Sequence, residues 1–96
     1  MSQINVRRKH GTTLKRARAG ASRVAEQLAE EFYLESEWNG DTLIFERSGV
    51  SGELKVDKKE IVIEVRLGFM TAILKPVIES EIHKFLDEKF GPDNHG

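Results

Sequence analysis

Between Leu34 and Leu67 the chain alternates apolar and polar residues with few interruptions, and this period of two is what most restricts its fold. Residues two apart on a strand share a face. A long alternating stretch cut by tight turns must therefore form an antiparallel sheet with one apolar face and one wet face. Leu34, Ser36 and Trp38 fall on one side, Glu35 and Glu37 on the other. Asn39-Gly40 follows, a strong hairpin signal, because both central residues of a type I′ turn need positive φ. The return strand over residues 41–47 puts Leu43 and Phe45 on the inner face. If Ser48-Gly49 is the next two-residue loop, Phe45 lies opposite Gly52, an aromatic ring covering a strand glycine. Val50, Leu54 and Val56 stay in phase, residues 57–60 make a loop, and Ile61, Ile63, Val65 and Leu67 complete the lining. The outer face carries Glu46, Glu53, Lys55, Glu64 and Arg66, relieved by Ile44 and Val62.

The flanks read as one more strand and two helices. Residues 3–8 alternate, with Ile4 and Val6 opposite Asn5 and Arg7, and His10-Gly11 breaks the strand. Thr12 or Thr13 can cap a helix that runs to about Phe32 or Tyr33. Its stripe of Leu14, Ala17, Ala21, Val24, Leu28 and Phe32, widened by Ala25 and Ala29, is rich in alanine, which permits close approach to a sheet. Gly20 in its middle costs roughly 1 kcal/mol against alanine, and close packing is the expected reason. After Gly68, residues Met70, Ile73, Leu74, Val77, Ile78, Ile82, Phe85, Leu86 and Phe90 recur at helical spacing. Pro76 must either start that helix or kink it, and Gly91-Pro92 stops it. The expected architecture is α+β: a two-layer, curved antiparallel sheet of about five strands with two helices on one face, in the order β-α-β-β-β-β-α. Residues 1–91 form a single domain, and 92–96 a disordered tail.

Ninety-six residues support one modest core and no large cavity. There is no cysteine, which removes disulfides and thiolate chemistry and is compatible with the cytoplasm. No apolar run approaches the length of about 20 residues that spans a bilayer. The first strongly apolar segment comes late and is broken by charges, so no secretory leader is expected. No spacing typical of a metal site or phosphate loop appears, and no cofactor is expected. Abundant carboxylates mostly point outward rather than converging, so an enzyme is not expected.

The charge distribution is the sharper feature. The net charge is −1, yet residues 1–25 hold seven basic residues and no acid, and the remainder sums to −8. Lys15, Arg16 and Arg18 sit where the helix dipole favours acids, and Glu26, Glu30 and Glu31 sit where it favours bases. Helix stability does not explain this, so either the sheet supplies acidic partners or a ligand does. Arg7, Arg8, Lys9, His10, Lys15 and Arg16 form the candidate anion- or partner-binding set. Intramolecular pairing is the competing reading. His10 can bind an anion or move a proton, or simply hydrogen-bond the chain. Nucleic acid is disfavoured by the missing aromatics in this segment and the acidic remainder. Trp38 reads as a core residue at a strand end or as a ligand platform.

The order of these segments resembles a small bacterial family described as putative polyhydroxyalkanoic acid system proteins, a granule-region family. The resemblance rests on His10 and Ala17, W-N-G-D-T-L-I-F at 38–45, G-V-S-G-E-L-K-V at 49–56, I-V-I-E-V-R-L-G-F-M at 61–70, and F-L-D-E-K-F ending the last helix. It implies a non-enzymatic accessory protein of polyester storage in the cytoplasm, meeting a granule surface or a granule-associated protein. It carries over no catalytic residues. The sheet gripping a long final helix looks like a reduced helix-grip fold, which offers a small hydrophobic-ligand binder as an alternative. A nucleic-acid-binding regulator using the basic segment is the other alternative. The sheet edges leave homo-oligomers open.

Overall fold

The computed structural model describes residues 2–91; the expected tail at 92–96, with His95, lies outside the described residues. The strands are β1 (Ser2–Lys9), β2 (Glu35–Asn39), β3 (Thr42–Arg47), β4 (Val50–Val56) and β5 (Glu60–Leu67). The helices are α1 (Leu14–Phe32) and α2 (Lys75–Phe90), with a short 3₁₀ turn, Ala72–Leu74, before α2. This is an α+β fold with an open, all-antiparallel sheet in the order β1-β5-β4-β3-β2.

Alternation decides the core. Leu43, Phe45, Leu54, Ile61, Ile63 and Leu67 are buried on the inner face. Ala17, Ala21 and Val24 of α1 and Ile78, Ile82 and Leu86 of α2 close over them. Phe45 pairs with Gly52 in register, as expected. A Cβ on Gly52 would lie 2.7 Å from the Glu64 carbonyl oxygen, so that position needs glycine for strand approach as well as for the ring. Thr13 caps α1, its hydroxyl accepting from the Arg16 N–H at 3.2 Å. Tyr33 ends the helix in the left-handed region, φ 56°. Gly20 is explained by the other helix: a Cβ there would lie 2.6 Å from Phe90 Cζ.

Two expectations are corrected. The first hairpin turns about Gly40-Asp41, pairing Asn39 with Thr42 and Trp38 with Leu43. Only Gly40 has positive φ there, so glycine occupies the first central position, where a type II′ turn needs it. The later turn sets Trp38 against Leu43 instead of Asp41. At the last helix an open alternative is settled, and the apolar stripe before it is the second correction. Pro76 lies in its first turn, where its missing N–H breaks no bond, so it starts the helix and does not kink it. The apolar stripe read back to Met70 is not all core, because the preceding residues follow a turn and a 3₁₀ path. Met70, Ile73 and Val77 face outward.

Candidate functional site

The basic segment divides by strand parity. Ile4, Val6, Arg8 and His10 point inward and are buried, whereas Arg7 and Lys9 point outward. Arg8 is only 4% exposed. Its Nη1 donates to Asp87 Oδ1 at 2.8 Å and to the Gly91 carbonyl at 3.2 Å, and its Nη2 lies 3.4 Å from His83 Nδ1. A guanidinium at the C-terminal end of α2 meets carbonyls that have no partner within the helix and a dipole that favours a cation. Arg8 therefore fastens α2 to β1.

His10 is a strut. The Thr12 N–H donates to Nδ1 at 3.2 Å, which leaves the ring proton on Nε2 to be donated to the Asp57 carbonyl at 2.8 Å. The His10 backbone N–H donates to the Lys59 carbonyl at 3.1 Å. The ring thus ties the end of β1 to the β4–β5 loop with both nitrogens engaged. In that loop Asp57 Oδ1 accepts the N–H groups of Lys59 and Glu60, each at 2.7 Å. The Glu60 and Lys59 amides hold the Asp57 carboxyl below its ordinary value.

Of the six residues expected to bind an anion or partner, Arg8 and His10 are thus folded inward, and Arg7 pairs with Glu60 across the sheet. Lys9, Lys15 and Arg16 are exposed, and among the described residues they form no ion pair. The signal for Arg8 and His10 lay in the sequence, since they continue the even-numbered face of Ile4 and Val6. Lys58 and Lys59, exposed in the adjoining loop, carry no sequence signal beyond that of a turn.

The charges that oppose the α1 dipole are answered in part by the sheet. Arg18 donates from Nη1 to Asp41 Oδ1 at 2.7 Å and from Nη2 to the Gly40 carbonyl at 2.9 Å. Its guanidinium lies 4.3 Å from the centre of the Trp38 ring. Arg18 clamps the first hairpin turn to α1 and covers a face of Trp38, which weakens the ligand-platform reading.

The opposite end of the sheet carries what the sequence reading missed. The Thr71 N–H donates to the Gly68 carbonyl at 3.2 Å, closing a turn whose two central residues are Phe69 and Met70. These are 92% and 84% exposed, and Ile73 is 81% exposed. Turn centres ordinarily take glycine, proline or small polar residues. The turn is anchored: the Thr71 hydroxyl donates to the Gly49 carbonyl at 2.6 Å, and the Gly68 N–H donates to the same oxygen at 2.9 Å. A preformed apolar tip therefore projects beside the β3–β4 turn.

Between α1, the inner sheet face and α2 lies an apolar crevice of about 20 Å³ lined by residues including Phe32, Phe45, Val50 and Ile78. That is little more than a single water needs, far below the ~300 Å³ at which ligand pockets begin. It counts against the helix-grip ligand binder. No helix among the described residues is long and apolar enough to cross a membrane.

Residues 4–90 fit the family model described as "Putative polyhydroxyalkanoic acid system protein". No curated protein and no solved structure matches. A match over nearly the whole chain, on a fold whose strands and turns fall in the quoted segments, shows the family: the chain belongs to the polyhydroxyalkanoic acid system proteins of the granule region.

Proposed function

We propose that this protein is a non-enzymatic accessory of polyhydroxyalkanoate storage that attaches to the surface of the polyester granule through the tip at residues 69–77. The observation that carries this reading is the Phe69-Met70 turn, held in place by Thr71 and almost fully exposed. Exposed apolar clusters of this kind mark interaction sites. A polyhydroxyalkanoate is a chain of ester-linked hydroxyacyl units whose surface is largely methylene and methyl groups, and it would take up such side chains directly. Fully burying a Phe, Ile or Met side chain contributes about 1.5–3 kcal/mol, enough for three of them to hold a small domain at an interface. The non-enzymatic part is supported by His10, whose two ring nitrogens both serve the fold. The granule contact accordingly moves from the basic segment to the tip.

Co-sedimentation with native granules tests this. The unmodified protein is expected to pellet with granules. Phe69→Ser with Ile73→Ser should remain in the supernatant, at least about 100-fold weaker if both side chains are buried on binding. Arg7→Glu should pellet normally. Equal binding by the tip variant would reject the tip, and no binding by the unmodified protein would reject the granule role.

A further inference from the structure

We infer that the end of the molecule opposite the tip is a docking surface for an acidic polypeptide segment. Five cations meet there: Lys9 at the end of β1, Lys15 and Arg16 in the first turn of α1, and Lys58 and Lys59 in the β4–β5 loop. The backbone brings these segments together, since Lys9 pairs with Glu60 in register and the His10 N–H reaches the Lys59 carbonyl. All five are exposed, and among the described residues none forms an ion pair. Most acids of this end are already engaged, Glu88 in the last turn of α2 being exposed. Glu60 holds Arg7, Asp41 holds Arg18 and Asp87 holds Arg8, while the Asp57 carboxylate accepts two backbone amides. Arginines with fixed planar contacts thus stitch the fold, and the cations left over are mostly lysines, mobile point charges suited to diffuse attraction.

None of the five supports the structure that carries it. Lys15 and Arg16 stand in a first turn that contains no acid, where the dipole disfavours them, and Lys58 and Lys59 crowd like charge into one short loop. An acidic partner relieves both. An acidic polypeptide fits better than a duplex. Among the described residues no aromatic side chain is interleaved with the cations for base stacking, and Trp38 nearby lies under Arg18. The outer face is mixed in charge, and its β2–β3 side, with Glu35, Glu37 and Glu46, opposes a wide polyanion laid across it.

This surface does not depend on the tip. The eight-residue β5, Glu60–Leu67, separates the two by about 25 Å. A copy seated on a granule by its tip would present the basic end outward, an orientation that does rest on the proposed granule attachment.

Binding of a fluorescent oligoglutamate peptide, followed by anisotropy at low and high salt, tests the inference. The full chain should bind at low salt and release at high salt, where exposed charges are screened. Lys58→Glu with Lys59→Glu should weaken binding about tenfold, since single exposed pairs contribute little but two reversals add. Arg66→Glu with Lys84→Glu, which makes the same change in net charge elsewhere, should bind like the unmodified protein. The Phe69→Ser, Ile73→Ser variant should keep peptide binding while losing granules, so failure of the one surface is distinguishable from failure of the other. Absence of peptide binding at low salt, or equal loss in both charge-reversed variants, would overturn the inference. Tighter binding of a DNA duplex than of peptide, lost with Lys58 and Lys59, would replace the acidic polypeptide with nucleic acid.

Discussion

Substituting Gly20 by alanine sets two well-understood effects against each other. In an isolated helix the change should stabilise by about 1 kcal/mol, because alanine loses less backbone freedom on folding. Here the new methyl would meet the Phe90 ring of α2, at 2.6 Å from Cζ and 3.0 Å from Cε1. Ordinary carbon contacts lie near 3.5–4.0 Å, so the ring must move by roughly 1 Å. Overpacking of that kind costs about 1–3 kcal/mol. The expected net effect of Gly20→Ala is therefore between no change and a loss of about 2 kcal/mol. In a Phe90→Ala background the obstacle is gone, and the same substitution should stabilise by about 1 kcal/mol. Urea unfolding of the four proteins measures the coupling. With a slope near 1 kcal/mol per molar urea, a 1 kcal/mol change moves the midpoint by about 1 M. The reasoning requires a coupling of at least about 1 kcal/mol between residues in contact. Equal stabilisation by Gly20→Ala in both backgrounds would refute the helix-to-helix explanation of this glycine.

Three further outcomes follow from the same geometry. His10→Leu leaves the Thr12 N–H and the Asp57 carbonyl without their partner and should destabilise by about 1–3 kcal/mol in thermal or urea unfolding, while granule binding per folded molecule stays unchanged; lost binding by a folded variant would assign His10 to the contact. Arg18→Ala should shift the emission of the single tryptophan to the red, since it uncovers the Trp38 ring; an unchanged spectrum would mean that the guanidinium does not cover it. The Asp57 carboxyl is held low by the Glu60 and Lys59 amides. Its contribution should therefore be fully present above the unfolded value near pH 4 and fade as pH falls through the lower folded value. The stability difference between the unmodified protein and Asp57→Asn should be flat from near neutral to about pH 5 and shrink below about pH 4; a difference that grows on acidification would contradict this.

How far residues alone could lead is clearest where one rule had no competitor. Alternation from β2 to β5 placed Leu43, Phe45, Leu54 and Ile63 inside, because a slip of one residue would expose all of them. The Ser48-Gly49 loop length then set Phe45 against Gly52. The first hairpin was less legible, since Asn39-Gly40 and Gly40-Asp41 are both acceptable turn pairs, and the pairing of Trp38 with Leu43 goes with the later one. The tip was not legible as a tip. Apolar residues at helical spacing read as core unless something reports which side faces the sheet, and that information lies in the Thr71 hydroxyl bond to Gly49 across 22 residues of chain. The basic segment shows a different limit. A run of cations carries no mark of which members will find acids. Parity on β1 marks Arg8 as inward, but its partner Asp87 lies 79 residues away.

The proposed attachment of the apolar tip to the granule is tested most directly by a label placed at the tip. The chain contains no cysteine, so a single introduced thiol is a unique label. An environment-sensitive dye at Met70→Cys should shift to the blue and become shielded from aqueous quencher when native granules are added, while the same dye at Lys58→Cys should change in neither respect. A shift at Lys58 with none at Met70 would contradict the account.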